Sequence, residues 1–138
     1  MKFTFKNISL AFTAGCIGGL ANMLFIWLFG VWRVTQALGV QLAPSYSTPW
    51  LYNRLVWGGL WGFLFFLPLR NLSLPARGLL YCLGPSLVQL FVVFPFLAHK
   101  GMLGLQLGYL TPAFVLFYNA VWGLAAGFWL QLTAENSR

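Results

Sequence analysis

The chain has 138 residues, of which 60% are hydrophobic and 7% are charged, and eight Lys or Arg residues stand against one acidic residue. Soluble domains carry about 25% charged residues, so this composition excludes an ordinary soluble domain, and the 19% of aromatic residues excludes a disordered chain. The basic residues are scattered singly, which argues against a nucleic-acid partner. The composition therefore predicts an all-α integral membrane protein surrounded by the lipid bilayer.

The first predicted membrane span covers residues 8–32. A helix needs about 20 residues to cross about 30 Å of hydrocarbon, and this segment contains no charged residue. Lys2 and Lys6 resemble the start of a signal peptide, but the apolar sequence continues well past Cys16 without a polar tether. We therefore expect an uncleaved first span.

The second predicted span covers residues 49–68 and contains an arginine. Thr48 and Pro49 are typical of a helix start, as an N-cap and a proline at the first helical position. The 15 residues between Arg54 and Arg70 would reach only about 22 Å as a helix. Arg54 is therefore expected inside the span, about 7.5 Å from its start.

The third and fourth predicted spans cover residues 78–98 and 112–132. The third contains Pro85 and Pro95, which remove backbone donors and predict either a kinked packing helix or a hinge. The fourth follows a second Thr-Pro pair, which begins at Thr111.

The basic residues also predict an orientation in the membrane. Five lie on the side that holds both termini and three on the other side, so the positive-inside rule places the termini in the cytoplasm. The five are Lys2, Lys6, Arg70, Arg77 and Arg138, and the three are Arg33, Arg54 and Lys100. We expect a bacterial inner membrane or another energy-transducing membrane.

The most informative pattern is an internal repeat at an offset of 65 residues. Residues 38–63 match residues 103–128 at ten of 26 positions, whereas the biased composition alone predicts roughly two or three matches. Both windows contain Leu-Gly-x-Gln-Leu and, further on, Trp-Gly-x-x-x-Gly-Phe. The sequence therefore predicts a tandem duplication.

Each predicted repeat is a hairpin of two spans. Because two is an even number, both copies insert with the same orientation and form a parallel repeat. Repeat 1 covers about residues 1–69 and repeat 2 about residues 70–138, and together they form a single four-helix transmembrane domain, residues 1–138. Upstream of the main match, Cys16 aligns with Cys82 at an offset of 66.

Glycines spaced by four residues predict where the spans pack. Lipid gives helices no hydrophobic reason to associate, so small residues that permit close backbone approach mark the interfaces. The predicted packing residues are Gly15, Gly19, Gly58, Gly62, Gly123 and Gly127. We expect these faces to turn inward, although the small faces of the first and third spans do not superpose at the offset of 66.

Polar side chains on the inward faces predict a narrow polar path or an anion site. Arg54 is the strongest candidate, because an arginine inside a span is costly and either snorkels to the interface or marks a site. The candidate polar site comprises Arg54, Asn119, Gln41, Gln106, Gln89 and Asn22. Anionic lipid headgroups or the carboxylate of a partner are the expected ligands.

Catalytic chemistry is not expected. The chain has no Asp, and its single acid, Glu135, lies in the C-terminal tail, so the spans lack carboxylates for proton relays or acid–base work. His99 is the only histidine, and one histidine with two cysteines is an incomplete zinc site. We therefore predict no enzyme activity, no catalytic residue, no metal ion and no cofactor.

Two functional hypotheses remain. The first is a non-enzymatic accessory, assembly or scaffold subunit that packs against other membrane proteins or against itself. The alternative is a channel or transporter for a small or anionic solute with a site near Arg54 at the outer side. A dry, fully packed interior without a polar cavity would argue against transport, whereas a continuous wet cavity that reaches Arg54 or Gln89 would argue against scaffolding as the sole role.

Overall fold

The computed structural model describes residues 2–69 and 71–136, and these residues form helices joined by short loops. Arg70 and Arg138, which the orientation prediction includes, lie outside the described residues. Helix α1 covers Phe5–Val31, and its N-cap Thr4 accepts a hydrogen bond from the backbone amide of Asn7 at 3.2 Å. A single turn, α2, follows at Val34–Ala37.

We call each run of consecutive helical segments that crosses the bundle a rod. Helix α1 is the first rod, and the second rod combines two kinds of helix. Helix α3 covers Thr48–Trp61, and a 3₁₀ helix continues it over Gly62–Phe66. Its N-cap is Ser47, whose hydroxyl accepts from the amide of Trp50 at 3.3 Å, so the predicted cap at Thr48 is one residue too late. Proline remains in the first turn, where its missing N–H has no intrahelical acceptor to lose.

The third rod is interrupted twice. It consists of α4 (Leu74–Tyr81), α5 (Leu83–Val88) and a π-helix (Gln89–Leu97). Pro85 lies in α5 and Pro95 in the π-helix, and each lacks the amide that a regular α-helix needs. Both prolines thus lie in a rod whose helix type changes, and the sequence predicts either a kinked packing helix or a hinge there.

Helix α6 (Thr111–Asn136) forms the fourth rod and follows a short 3₁₀ turn at Met102–Gly104. Three segments are long and apolar enough to cross a membrane, and they are Phe5–Val31, Leu74–Leu97 and Thr111–Ala134. The described chain is therefore all-helical with three candidate spans. Helix α3 has only 14 residues before its geometry changes.

The rods alternate in direction. Lys6 of α1, Leu74 of α4 and Leu130 of α6 line one surface pocket, so these helix ends meet at the same end of the bundle. Phe3 stacks on Phe66 with ring centroids 4.5 Å apart, which brings the end of the second rod to the same place. Helix α1 is central and packs against α3 and α6, while α4 packs against α6.

Glycines allow the closest approaches between the rods. Between α1 and the second rod, a Cβ atom at Gly15 would collide with the carbonyl oxygen of Gly58, and one at Gly62 would collide with that of Ala11. Between α4 and α6, a Cβ at either Gly78 or Gly123 would collide with the carbonyl of the other. Backbone contact of this kind explains why small residues occur on these faces.

The two glycine contacts have a common geometry but not the predicted register. Gly58 and Gly123 are 65 residues apart, whereas their partners Gly15 and Gly78 are 63 apart. A shift of three residues relative to the offset of 66 is almost one helical turn. This shift explains why the small-residue faces of α1 and of the third rod do not superpose when Cys16 is aligned with Cys82.

The two cysteines accordingly lie in different surroundings. The thiol of Cys16 lies 3.3 Å from the carbonyl oxygen of Leu55 in α3, whereas the thiol of Cys82 bonds back to Leu79 in its own helix at 2.9 Å. Both thiols are free. Matching residue types do not place the cysteines in matching contacts, because the packing follows the glycines.

Candidate functional site

A cluster of five polar side chains lies inside the bundle, and all four rods contribute to it. We call it the polar cluster. It consists of Asn22 from α1, Arg54 from α3, Ser86 and Gln89 from the third rod, and Asn119 from α6. Polar side chains inside a membrane protein face one another because lipid offers them no hydrogen bonds.

Asn22 links α1 to α6. Its side-chain nitrogen donates to the carbonyl oxygen of Tyr118 at 2.8 Å and to Oδ1 of Asn119 at 3.3 Å. Asn22 is 3% exposed, so these bonds occupy both amide protons of a buried group. Its Oδ1 oxygen is therefore the acceptor that points to the remaining neighbour, Arg54.

Asn119 extends the hydrogen bonds into the third rod. Its amide nitrogen donates to Oγ of Ser86 at 3.0 Å and to Oε1 of Gln89 at 3.4 Å. The hydroxyl of Ser86 in turn donates to the carbonyl oxygen of Cys82 at 2.6 Å. The direction of every bond is thus defined along this chain of side chains.

Arg54 is the last residue of this hydrogen-bonded series, and the donors of its guanidinium are not all paired. Its Nη1 donates to Oδ1 of Asn22 at a long 3.4 Å. Its Nε is buried and has no hydrogen-bond partner within the described part of the chain. The guanidinium is directed into the bundle toward Asn22, and not along the helix to the interface as snorkelling would require.

The polar cluster lies far from the ends of the rods. Asn22 is nine residues before the end of α1, Asn119 is eight after the start of α6, and Arg54 is six after the start of α3. At 1.5 Å per residue they are about 13.5, 12 and 9 Å from the same end of the bundle. The cluster therefore lies about two helical turns inside the rods.

A cavity of about 70 Å³ adjoins the polar cluster. A water molecule needs roughly 10–15 Å³ of such volume and two to four polar partners, so the cavity has room for several water molecules. It is lined by Gly19, Asn22, Asn53, Arg54, Trp57, Gly58, Trp61, Pro85, Gln89, Asn119 and Trp122.

The cavity opens sideways into a larger groove of about 400 Å³ between the second and third rods, which we call the lateral crevice. Helix α3 packs mainly against α1, and no comparably extensive contact joins α3 to α5 or the π-helix among the described residues. The walls of the crevice are Asn53, Arg54, Trp57, Trp61, Pro85, Val88, Gln89, Val92, Val93 and Leu97.

Beyond the cluster, toward the end that holds Phe3, the bundle is closed. The indole N–H of Trp122 donates to the carbonyl oxygens of Gly15 at 3.2 Å and of Gly58 at 3.3 Å. Phe65 is fully buried against the ring of Trp122 with centroids 6.4 Å apart. The cavity therefore ends at this layer, and the bundle does not contain a continuous polar path along the described rods.

A second polar arrangement lies at that closed end and was not singled out from the sequence. Nη2 of Arg77 donates to the carbonyl oxygens of Phe65 and Leu67, at 2.9 Å each. The hydroxyl of Tyr81 accepts from Nε of Arg77 at 3.3 Å and donates to Leu67 at 3.0 Å. Arg77 thereby caps the 3₁₀ helix that ends the second rod, a role that an arginine in a short predicted loop does not reveal.

The structure does not bring all six predicted polar residues together. Arg54, Asn22, Asn119 and Gln89 converge, whereas Gln41 and Gln106 are exposed in the loops that precede α3 and α6 and do not line the cavity. The backbone amide of Gln41 donates to the carbonyl oxygen of Leu107 at 2.8 Å. The two Leu-Gly-x-Gln-Leu segments therefore contact each other, but away from the polar cluster.

The polar cluster offers hydrogen bonding. The guanidinium of Arg54 donates to Oδ1 of Asn22, which is an uncharged amide oxygen. Within residues 2–69 and 71–136, no group of three His, Cys, Asp or Glu side chains could hold a metal ion. Arg54 brings a permanent positive charge, and the only acid of the chain, Glu135, is far along α6 in sequence. The site is thus suited to an anionic group.

No family model matches this chain, and comparison with curated proteins and with solved structures finds no match either.

Proposed function

We propose that this protein is a non-enzymatic accessory subunit that packs against another membrane protein through the lateral crevice. The observation that carries this proposal is the crevice itself, which has one guanidinium and two indole rings, those of Trp57 and Trp61, on its walls. Arginine and tryptophan dominate the binding energy of protein interfaces. A groove filled only by lipid chains would leave the charge of Arg54 without a counter-ion.

The proposal includes a fourth membrane span, formed by the second rod. Its 14 α-helical residues and five 3₁₀ residues extend about 21 Å and about 10 Å. Their sum is close to the hydrocarbon thickness of about 30 Å. With four spans, both termini lie on one side, and the basic residues favour the cytoplasm.

If the chain arose by tandem duplication, as we propose, the crevice is the counterpart of a packed helix interface. Trp122 is buried in the contact between α1 and α6, whereas Trp57, 65 residues earlier, is 55% exposed in the crevice. In a parallel repeat, the boundary between the second and third rods corresponds to the closed contact of α1 with α6. The open boundary therefore has the side chains of a helix interface but lacks the close packing.

Site-specific photo-crosslinking in the native membrane tests this function. A photoreactive residue replaces Val88 or Val92, which line the crevice, and matched controls carry it at Leu116 or Phe128, which are exposed on α6. We expect one discrete protein adduct from the two crevice positions and none from the controls. Equal labelling of all four positions, or adducts with lipid alone, would contradict the proposal.

A channel or transporter for a small anion is the second candidate, and the cavity beside Arg54, which has room for several water molecules, favours it. The closed layer at Trp122 argues against it, because transport requires a path past that ring. Chloride flux into vesicles that contain the purified protein distinguishes the two functions. Flux that Arg54→Leu abolishes would support transport, and flux no greater than in empty vesicles would exclude it for chloride.

A further inference from the structure

We infer, resting on the proposed function, that the lateral crevice receives a transmembrane helix of a different protein, and that an Asp or Glu near the bilayer middle of that helix pairs with Arg54. The crevice lies between α3 on one side and α5 with the π-helix on the other. Four observations lead to this occupant: the charge of the chain, the unpaired donors, the rigidity of the polar cluster and its depth.

The charge of the chain requires an external anion. Its only acid is Glu135, near the end of α6 and so at the opposite end of the bundle from the start of α3. No Asp or Glu occurs in residues 2–69 or 71–134, so Arg54 has no acidic side chain to pair with in that part of the chain. A second copy inserted in the same orientation also has its Glu135 at the end of the bundle opposite the start of α3. We therefore infer that the partner is another protein.

Two donor groups of residues that line the crevice lack a hydrogen-bond partner. Nε of Arg54 is buried and has no partner, and the one bond of its guanidinium is the long contact with Asn22. Oε1 of Gln89 accepts from Asn119, while its Nε2 donates to no group in residues 2–69 or 71–136. A carboxylate has two oxygens and accepts several charge-assisted hydrogen bonds, so it matches this pair of donors.

The polar cluster holds these donors in place before a partner arrives. Both protons of the Asn22 amide and both of the Asn119 amide are committed to acceptors in neighbouring rods. The acceptor oxygens of Asn22 and Gln89 are thereby turned toward Arg54 and Asn119. A site that is already ordered loses less conformational entropy when it binds.

Depth distinguishes a helix from a lipid headgroup. The backbone of Arg54 lies about 9 Å inside the end of α3, and its guanidinium turns further inward to Asn22. Lipid phosphates lie outside the hydrocarbon core, so one would have to sink by a large distance to reach the unpaired Nε. An acidic residue in the middle of a transmembrane helix already lies at that depth.

Association with designed peptides in neutral bilayers tests this inference. The full-length protein and a Leu/Ala transmembrane peptide, each with a fluorophore, are reconstituted in phosphatidylcholine vesicles and followed by energy transfer. The peptide carries one central Glu, and its control carries Gln at that position. Polar contacts between helices in membranes are worth about 0.6–2 kcal/mol, so we expect the Glu peptide to bind about three- to thirty-fold more tightly.

Variants of the protein assign that preference to the crevice. We expect Arg54→Gln to abolish the difference between the two peptides, Arg54→Lys to retain part of it, and the matched control Arg33→Gln to leave it unchanged. Gln89→Leu removes the second donor and should reduce the difference even if Arg54→Gln folds poorly. Equal affinity for both peptides, or a preference that survives both Arg54→Gln and Gln89→Leu, would overturn the inference.

Two other occupants are outcomes of the same experiment. Displacement of the Glu peptide by added phosphatidylglycerol would identify a lipid phosphate, and Arg54-dependent energy transfer between two copies of the protein would identify a homodimer. Either result overturns the inference. If crosslinking from Val88 and Val92 still captures a discrete protein, the proposed function survives without the carboxylate, whereas loss of that adduct defeats the function itself.

Discussion

The side-chain nitrogen of Asn22 donates to Oδ1 of Asn119 at 3.3 Å, and this contact joins α1 to α6 near the middle of the bundle. The two residues are 97 positions apart in the chain. Through them the four rods share one set of hydrogen bonds, and Arg54 lies at its end.

Replacing Asn119 with Leu should destabilise the fold. The substitution keeps the branched shape at Cγ but removes the bonds to Asn22, Ser86 and Gln89, and we expect a loss of about 1–2 kcal/mol. Unfolding by sodium dodecyl sulfate in bicelles measures it. Asn71→Leu, in an exposed loop, is the control, and equal stability of both variants would show that the polar cluster contributes little.

Adding one methyl group at Gly78 or Gly123 should separate α4 from α6. Each Cβ would collide with the opposite carbonyl, and overpacking of this kind costs about 1–3 kcal/mol or more. At the control position Gly84, a Cβ lies 3.1 Å from a methyl of Leu64, which is the end of a flexible side chain.

The same unfolding assay applied to Gly78→Ala, Gly123→Ala and the double variant tests the contact. Because one contact is lost in both single variants, we expect the double variant to be less destabilised than the sum of the two. Strict additivity would mean that the glycines act at separate places. A loss at Gly84→Ala as large as at Gly78→Ala would mean that the close approach is unimportant.

The two repeat-matched tryptophans should respond differently to replacement by Phe. Trp122→Phe loses the indole bonds to Gly15 and Gly58 and should reduce stability by about 1 kcal/mol. Trp57 is exposed in the crevice, so Trp57→Phe should leave stability unchanged and instead weaken the crosslink to a partner. The opposite order of stability effects would contradict the closed and open assignments of the two interfaces.

Arg77→Gln should loosen the end of the second rod. The arginine caps the carbonyls of Phe65 and Leu67, and hydrogen bonds to charged groups contribute about 1.5–3 kcal/mol each. Hydrogen exchange of the amides in Gly62–Phe66 should then speed up. Lys6→Gln removes the same charge from an exposed position, and protection lost equally in that control would point to charge rather than capping.

Membrane topology provides a test of the fourth span. In a background with both native cysteines replaced by Ala, single cysteines are placed at Ser45 and at Asn71, which are exposed at opposite ends of the second rod. We expect an impermeant maleimide outside the cell to label position 45 only. Labelling of both positions from one side would mean that the second rod does not cross the bilayer.

The sequence by itself determined the class and most of the elements. Its low content of charged residues and its long apolar runs predict helices in lipid, because only a helix satisfies its backbone polar groups within one segment. The predicted spans at 8–32, 78–98 and 112–132 correspond to candidate spans in the structure. The two prolines predicted a kink or a hinge in the third rod, and that rod consists of helices of different types.

Only the tertiary structure decided the register of the hairpins and the composition of the site. Residue matches favour an offset of 66 for α1 and the third rod, but backbone contact pairs Gly15 with Gly58 and Gly78 with Gly123. Close approach depends on which glycine faces a partner, and residue matches along the chain do not show which residues face each other across an interface. The matches therefore favour a register that differs by three residues from the register of the backbone contacts.

Packing, and not sequence spacing, also decides which of the predicted polar residues come together. Sequence spacing places Gln41 and Gln106 in matching segments, yet hydrogen bonding in a lipid-surrounded interior brings together Asn22, Arg54 and Asn119 from three different rods. Polar groups at one depth find each other because lipid offers no alternative partner. The surplus of bases over acids was visible from the composition, but only the packing of the rods left Arg54 with an unpaired Nε beside an open crevice.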